Sequence, residues 1–312
     1  MSSFVLIGAA GFVAPRHLRA IRDTHSSLYA AIDICDCVGI LDSYFPNARF
    51  FLSLQSFQEH TPTQPIDYMS ICTPNFYHKQ HIEFALTHDM HAICEKPIVL
   101  HTAQAKELIN LERDSGKSIS TILQLRLHPS IIALKNRIYA RLRTNPTHIF
   151  EVDLSYISAR GQWYFLSWKG DESKSGGLAC NIGIHLFDML CFLFGECQEC
   201  VVHYKSPSTI CGFLTLTNAR VRWALSIDRA LIPSSALLQG QSTYRAMRVD
   251  KEEIEFTRGF EDLHTKSYEE ILAHRGFGLE SALPSLEIIE RIGQLSPIGL
   301  KGEYHPLARA LA

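Results

Sequence analysis

Between residue 3 and about residue 122, short apolar runs alternate with helical patterns, and this alternation restricts the chain more than any other feature. SFVLIG, LYAAID, DYMSIC, HAIC and SISTIL are brief and bounded by Gly, Asp, Pro or charge. Such runs suit strands whose two faces are both covered by helices. Between them, PRHLRAIRDT, YHKQHIEFALTHD and TAQAKELINLERDSGK carry apolar residues at helical spacing, the last closing on a glycine placed as a C-cap. Strands joined by helices of this length form βαβ units, so a doubly wound parallel sheet of Rossmann type is predicted for residues 1–122.

Beyond residue 122 the pattern changes. HPSIIALKNRIYARLR predicts a helix, and THIFEVDLSYISA, QECVVHYKS, TICGFLTLT and ARVRWALSID alternate as antiparallel strands do when one face is covered. Residues 123–312 are therefore expected to form a second, α+β domain with a large, mostly antiparallel sheet, and a chain of 312 residues is long enough for two cores. A formal net charge of −2 gives no field to gather nucleic acid or an anionic membrane, so an anionic ligand needs a local site. MSSFVLIGAAGF lacks the cationic start of a secretory leader. No uninterrupted apolar run reaches the roughly 18 residues of a membrane span, so a cytoplasmic protein without membrane contact is expected. The nine cysteines are scattered and several lie in apolar segments, as reduced core thiols do. Cys197 and Cys200 form the one CxxC, with no second pair at zinc spacing, so no metal is expected.

The first strand runs directly into GAAGFVAPRH, residues 8–17. A turn of tiny residues before a helix lets the backbone approach a pyrophosphate and offers it free N–H groups. Ala9-x-Gly11-x-x-Ala14, with Gly8 just before it, is a loose form of the dinucleotide fingerprint. Asp33 closes the second strand 22 residues beyond Gly11, near the spacing at which an acid accepts the ribose hydroxyls of NAD and repels a 2′-phosphate. TPNFYH places Thr73, Pro74 and Asn75 in the turn after DYMSIC, and ICEKP places Glu95 and Lys96 after the next strand. Ligands of such sheets lie outside these strand ends, so the charged pair falls where the reactive end of a dinucleotide would lie.

Together, Gly8 to Ala14, Asp33, DYMSICTPNFYH and ICEKP resemble the glucose-fructose oxidoreductase and inositol dehydrogenase (Gfo/Idh/MocA) family. SGGLACNIGIHLFD, residues 175–188, is similar to that family's second-domain pattern of a Gly pair followed by G-x-H-x-x-D. A more detailed resemblance, in LDSYFPNARFF, LQLRLHPSI, SYISARGQWYFLSWKGDE and HTKSYEEILAHRGFGLESALPSLEIIE, is to dehydrogenases of UDP-N-acetyl-2-amino-2-deoxyglucuronate. Those enzymes oxidise the sugar 3-hydroxyl on the way to the diacetamido-uronic acids of bacterial lipopolysaccharide O-antigen. The resemblance implies that NAD is held by Gly8, Ala9, Gly11, Phe12, Val13, Asp33, Thr73, Pro74, Asn75, His78, Glu95, Lys96 and Gln124. It also implies a homo-oligomer, tetramer or dimer, built through the open face of the second sheet, and a cofactor that is recycled with 2-oxoglutarate in some relatives.

Oxidising a secondary alcohol sends a hydride to the nicotinamide while a base takes the hydroxyl proton. Lys96 and His185 are the candidates: burial beside cations lowers a lysine towards neutrality, and a histidine titrates near about 6.5 unaided. If NIGIHLFD is helical, Asn181, His185 and Asp188 fall at i, i+4 and i+7 and share one face. Asn181 stands where many members of the family carry aspartate, and an amide serves a sugar hydroxyl but not as a charged orienter of His185. One of Lys96 and His185 removes the 3-hydroxyl proton and the other steadies the alkoxide, and the sequence leaves the two roles open. Arg126, Arg160, Lys169 and Lys174 offer cations for a sugar carboxylate and a diphosphate. Tyr164 and Trp163 offer aromatic faces to the sugar or nicotinamide. The expected reaction is NAD-dependent oxidation of a UDP-sugar uronic acid at carbon 3. Competing readings are a dehydrogenase of another sugar or cyclitol and a non-catalytic NAD-binding sensor.

Overall fold

Apolar runs buried on both faces, as the sequence demands, line one of two sheets in the computed structural model, which describes residues 1–60, 64–256 and 259–311. The strands are Ser3–Ile7 (β1), Ser27–Ile32 (β2), Arg49–Phe51 (β3), Tyr68–Ile71 (β4), His91–Cys94 (β5) and Ile119–Thr121 (β6) in the first sheet. The second sheet holds Phe150–Ser158 (β7), Cys197–Lys205 (β8), Thr209–Leu216 (β9), Ala219–Ser226 (β10), Thr243–Val249 (β11) and Glu252–Ile254 (β12). The main helices are Ala14–Asp23 (α1), His78–Thr87 (α2), Thr102–Ser115 (α3), Pro129–Thr144 (α4), Ile184–Phe194 (α5), Leu263–Leu272 (α6) and Leu279–Gln294 (α7).

The first sheet is wholly parallel in the order β3-β2-β1-β4-β5-β6. Strand order therefore reverses between β1 and β4, which is where a doubly wound sheet opens a crevice for a ligand. Pro15 in the first turn of α1 is pre-set for a helix start, and Leu18 and Ile21 are fully buried on one side. Burying each of these side chains stabilises the fold by roughly 1.5–3 kcal/mol. They pack with Phe4 and Leu6 of β1 and with Tyr268 and Ile271 of α6 in one cluster.

That last contact alters the division expected from the sequence. The first compact unit comprises Met1–Gln124 together with Glu261–Leu283, and the second comprises Leu125–Phe260 with Pro284–Ala312. The sequence places one boundary at 122/123 and assigns everything after it to the second domain. The apolar side of α6, however, is buried in the core of the first unit, and packing overrides chain order.

In the second unit the sheet order is β12-β11-β7-β10-β9-β8. β7 and β10 pair parallel, with Phe150 opposite Ala219, while the other neighbours are antiparallel. The long stretch between β7 and β10, which includes α5, supplies the crossover that a parallel pair requires. Trp223 of β10 is fully buried and meets Phe187 of α5 edge-on, ring centres 5.2 Å apart. The segment Glu172–Phe194 has the length and hydropathy of a membrane span, but 72% of its most apolar window is buried inside the protein, as in a core helix.

Candidate functional site

In the first unit the Gly8 turn follows the last residue of β1. Gly8 has φ +90, and a Cβ there would lie 2.7 Å from the carbonyl carbon of Cys72 at the end of β4. This close approach at the switch point explains the tiny residues of the motif. Gly8→Ala is expected to cost about 1–2 kcal/mol through the left-handed backbone alone, and more through overlap with Cys72. A lowered melting temperature together with weaker NAD binding checks this; unchanged melting would contradict the argument.

Asp33 ties the turn to β2. Its Oδ2 accepts the Ala10 N–H at 2.9 Å and its Oδ1 accepts the Cys35 N–H at 2.9 Å. A carboxylate has roughly four acceptor positions, so ribose hydroxyls fit beside these bonds. Phe12 is 92% exposed and Val13 half-buried at the start of α1, while Ala9 is buried and Gly11 lies between them. Gln124, just past β6, is buried with its Oε1 lacking a partner among the described residues. A buried amide oxygen left so costs about 1–3 kcal/mol unless a donor arrives, as a bound ligand or water would supply. The turn, the acid and this acceptor all fit a dinucleotide.

Thr73 and Pro74 are half-buried after β4, and Asn75 is buried. His78, expected at the cofactor, is instead 1% exposed and ties two turns together: Nδ1 lies 2.7 Å from Pro97 O and Nε2 lies 2.8 Å from Thr73 O. Burial holds its pKa below the ordinary imidazole value, and a neutral ring donates to only one of these carbonyls at a time. Glu95 and Lys96 part company at the end of β5. Lys96 is half-buried, whereas the Glu95 carboxylate faces the interior, accepting from His17 Nε2 at 3.0 Å and His264 Nε2 at 2.9 Å. Its other oxygen accepts the Lys96 main-chain N–H at 3.2 Å. Glu95 is thus surrounded differently from the cofactor contact that the sequence suggests.

His17, His264 and Tyr268 escaped the sequence analysis. Their signal is a polar residue on the buried side of an amphipathic helix: His17 lies between Ala14 and Leu18 on α1, and His264 and Tyr268 are four apart on α6.

In the second unit, Gly176 and Gly177 at φ +77 and +76 lead into a π-turn, Ala179–Gly183, which runs into α5. Such turns widen the helix by one residue and often mark functional sites. Asn181 in the π-turn donates from Nδ2 to the Tyr164 hydroxyl at 3.0 Å, so two predicted sugar contacts meet. Burial pushes the Tyr164 phenol up, keeping it neutral. His185 is half-buried at the start of α5. Asp188 does not join them as an open ligand-facing acid. It is buried and paired with Arg126, whose NH2 group donates to Oδ1 at 2.6 Å and whose Nε donates to Oδ2 at 3.0 Å. Arg126, expected at a sugar carboxylate, turns this edge of its planar fork to Asp188. Arg160 is exposed, Lys169 lies 4.1 Å over the Trp168 ring, and Lys174 pairs with Asp171 at 3.1 Å. Trp163 is 53% exposed beside them. Burial pushes the Cys200 thiol up to about 12 and raises Cys197, so both stay protonated.

The sequence profile of an oxidoreductase family with an NAD-binding Rossmann fold matches residues 2–122, and that of the same family's C-terminal alpha/beta domain matches residues 147–226. The WlbA (WbpB) dehydrogenase from Thermus thermophilus, solved with NAD and alpha-ketoglutarate and with NAD and UDP-GlcNAcA, shares 42% identity at a TM-score of 0.93. That similarity covers 98% of this chain and 100% of the other. WlbA from Bordetella pertussis, at 17% identity and TM-score 0.77 over 94% of each chain, shares the fold. Glucose-6-phosphate 3-dehydrogenase of Bacillus subtilis is 25% identical over 62% of this chain, and D-glucoside 3-dehydrogenase of Escherichia coli is 27% identical over 41%. The matches span 54% and 36% of those two proteins' own lengths, about half or less.

Proposed function

The chain belongs to the Gfo/Idh/MocA oxidoreductase family, and from that premise we propose that it oxidises the 3-hydroxyl of UDP-N-acetylglucosaminuronic acid to the 3-keto sugar with NAD. The observation that carries this reading is the 42% identity, over 98% of the chain, to a dehydrogenase solved with NAD and UDP-GlcNAcA. Two curated relatives that are sugar 3-dehydrogenases support the same carbon.

Bound NAD supplies the hydride acceptor. The residues of this chain do the rest. The turn from Gly8 to Val13 and the first N–H groups of α1 take the diphosphate, Asp33 takes the adenosine ribose hydroxyls, and Thr73, Pro74, Asn75 and Gln124 line the remainder. Lys96 and His185 share the proton chemistry: one withdraws the 3-hydroxyl proton and the other stabilises the oxygen as its charge develops. Asn181 and Tyr164 hydrogen-bond the sugar, and Arg160 and Lys169 offer cations to the carboxylate and diphosphate. Arg126 pairs with Asp188 through Nε and one terminal amino group, and its other amino group is the part that could serve the sugar carboxylate.

The presence of alpha-ketoglutarate in the Thermus relative supports 2-oxoglutarate as the oxidant that regenerates NAD here. A 3-keto nucleotide sugar acid suits the synthesis of diacetamido-uronic acids for lipopolysaccharide O-antigen. We place that work in the cytoplasm, in a homo-oligomer, tetramer or dimer.

Purified protein mixed with UDP-N-acetylglucosaminuronic acid and NAD is expected to give sugar-dependent NADH absorbance, or 3-keto product once 2-oxoglutarate is added. Absence of product from both mixtures, with NAD bound, would remove the substrate assignment.

A further inference from the structure

Beneath Lys96 lies a polar cluster drawn from four separate parts of the first unit. Besides the three bonds to Glu95 described above, His17 Nδ1 lies 2.7 Å from the Tyr268 hydroxyl, and Ser70 Oγ of β4 lies 2.6 Å from the same oxygen. Ser70, His17 and Tyr268 are fully buried, and His264 and Glu95 are 4% and 7% exposed.

The donors and acceptors fix one proton arrangement. An ionised carboxylate only accepts, so both histidines direct a protonated Nε2 at Glu95. A neutral His17 then presents a lone pair at Nδ1, Tyr268 donates its O–H to it, and Ser70 donates to the Tyr268 oxygen. The chain of donors ends at a buried serine, so it delivers no proton to water. What it does is hold a carboxylate in one place, and that carboxylate receives the main-chain N–H of Lys96.

We infer that Glu95, His17, His264 and Tyr268 are positioning residues for Lys96, fixing the peptide from which the lysine side chain reaches the substrate. This rests on Lys96 being a catalytic residue. The groups facing Glu95 are His17 from α1, His264 and Tyr268 from α6, Cys72 after β4, His78 from α2, and its chain neighbours Cys94, the last residue of β5, and Lys96. Burial drives Glu95 towards its neutral form, but the hydrogen bonds from His17 and His264 oppose it and the carboxyl is held well below the usual range. Burial likewise lowers His17. Both depressed groups contribute stability above their unfolded pKa values and lose it as the pH falls. Removing one imidazole donor leaves burial less opposed, so Glu95 takes a proton at higher pH.

His264→Leu is therefore expected to lower kcat by about tenfold to a hundredfold, with sugar KM and NAD affinity held within about threefold. The acid limb of kcat moves to higher pH by about one unit. In His264→Gln the amide N–H replaces the lost donor and most of kcat returns, with the acid limb back near its original pH. Tyr268→Phe keeps the ring in the core and loses about threefold to tenfold in kcat through a less constrained His17. A second readout needs no sugar: the rate at which a soluble acylating reagent modifies Lys96, followed by peptide mass spectrometry, changes in His264→Leu and returns in His264→Gln. If wild-type protein fails to turn over the UDP-sugar, the substrate assignment falls while this labelling comparison still reads the cluster. Equal kcat in the Leu and Gln variants with an unmoved acid limb, or unaltered Lys96 labelling, would overturn the inference and leave only packing. His17, Glu95 and His264 also place their ligand atoms within 4.8 Å of one another. A stoichiometric transition metal in the purified protein, lost in His264→Leu, would make the cluster a metal centre and overturn the inference too.

Discussion

Lys96→Met lowers kcat by about a hundredfold to ten-thousandfold while NAD affinity stays within about threefold: this is the result expected if the lysine handles the 3-hydroxyl proton or the charge that replaces it. Methionine keeps the stem and removes the ammonium, so the end of β5 and its support by Glu95 are retained. His185→Asn is expected to lose turnover on the same scale, because half of a shared proton transfer is removed while the start of α5 persists. NADH formation measured alongside calorimetric NAD titration separates chemistry from binding. Wild-type turnover in both variants would dismiss the catalytic assignment of Lys96 and His185.

The second large effect is on stability. In Arg126→Met the Asp188 carboxylate, 1% exposed, loses the fork that pairs with both its oxygens. Breaking a buried pair from one side costs about 3–5 kcal/mol, because the remaining charge stays uncompensated. Even in the intact protein burial raises Asp188 above the ordinary carboxylate value, with Arg126 opposing it. A carboxyl so raised favours the fold while protonated and loses that contribution as the pH rises through its folded pKa. The deficit of Arg126→Met is thus expected to be larger at about pH 8 than at about pH 5. The double variant Arg126→Met, Asp188→Leu, which removes both charges and keeps apolar volume, recovers most of the loss. Urea titrations at the two pH values check both statements, and a pH-independent deficit would contradict the charge argument.

Features carried by local pattern were legible in advance. The short double-sided apolar runs gave β1, β2, β4, β5 and β6, and the turn of tiny residues after β1 pointed to the NAD-binding Rossmann domain. β3 was missed because three residues, Arg49–Phe51, are too few to show any period. The i, i+4, i+7 reading placed Asp188 with Asn181 and His185, but that spacing assumes a regular helix, and a π-turn precedes α5. What Asp188 meets is Arg126, 62 positions away, and no local pattern encodes that partner. The cluster under Lys96 was hidden for the same reason: His264 is 169 positions from Glu95, and Tyr268 is 251 from His17. Such partners are selected by tertiary packing, which leaves on the sequence only a polar residue at an apolar position.

The return of α6 to the first unit has a consequence for synthesis. A ribosome that has delivered all six strands of the first sheet has not yet made His264, Tyr268 or Ile271, which complete that unit's interior. Until then the emerging amino-terminal half exposes the apolar side of α1 and carries a glutamate with one of its two imidazole partners missing. Maturation of the dinucleotide end is thereby deferred until translation has passed residue 272. A product terminated before α6 is expected to be a substrate for chaperones and proteases, although it contains every motif residue of the dinucleotide end.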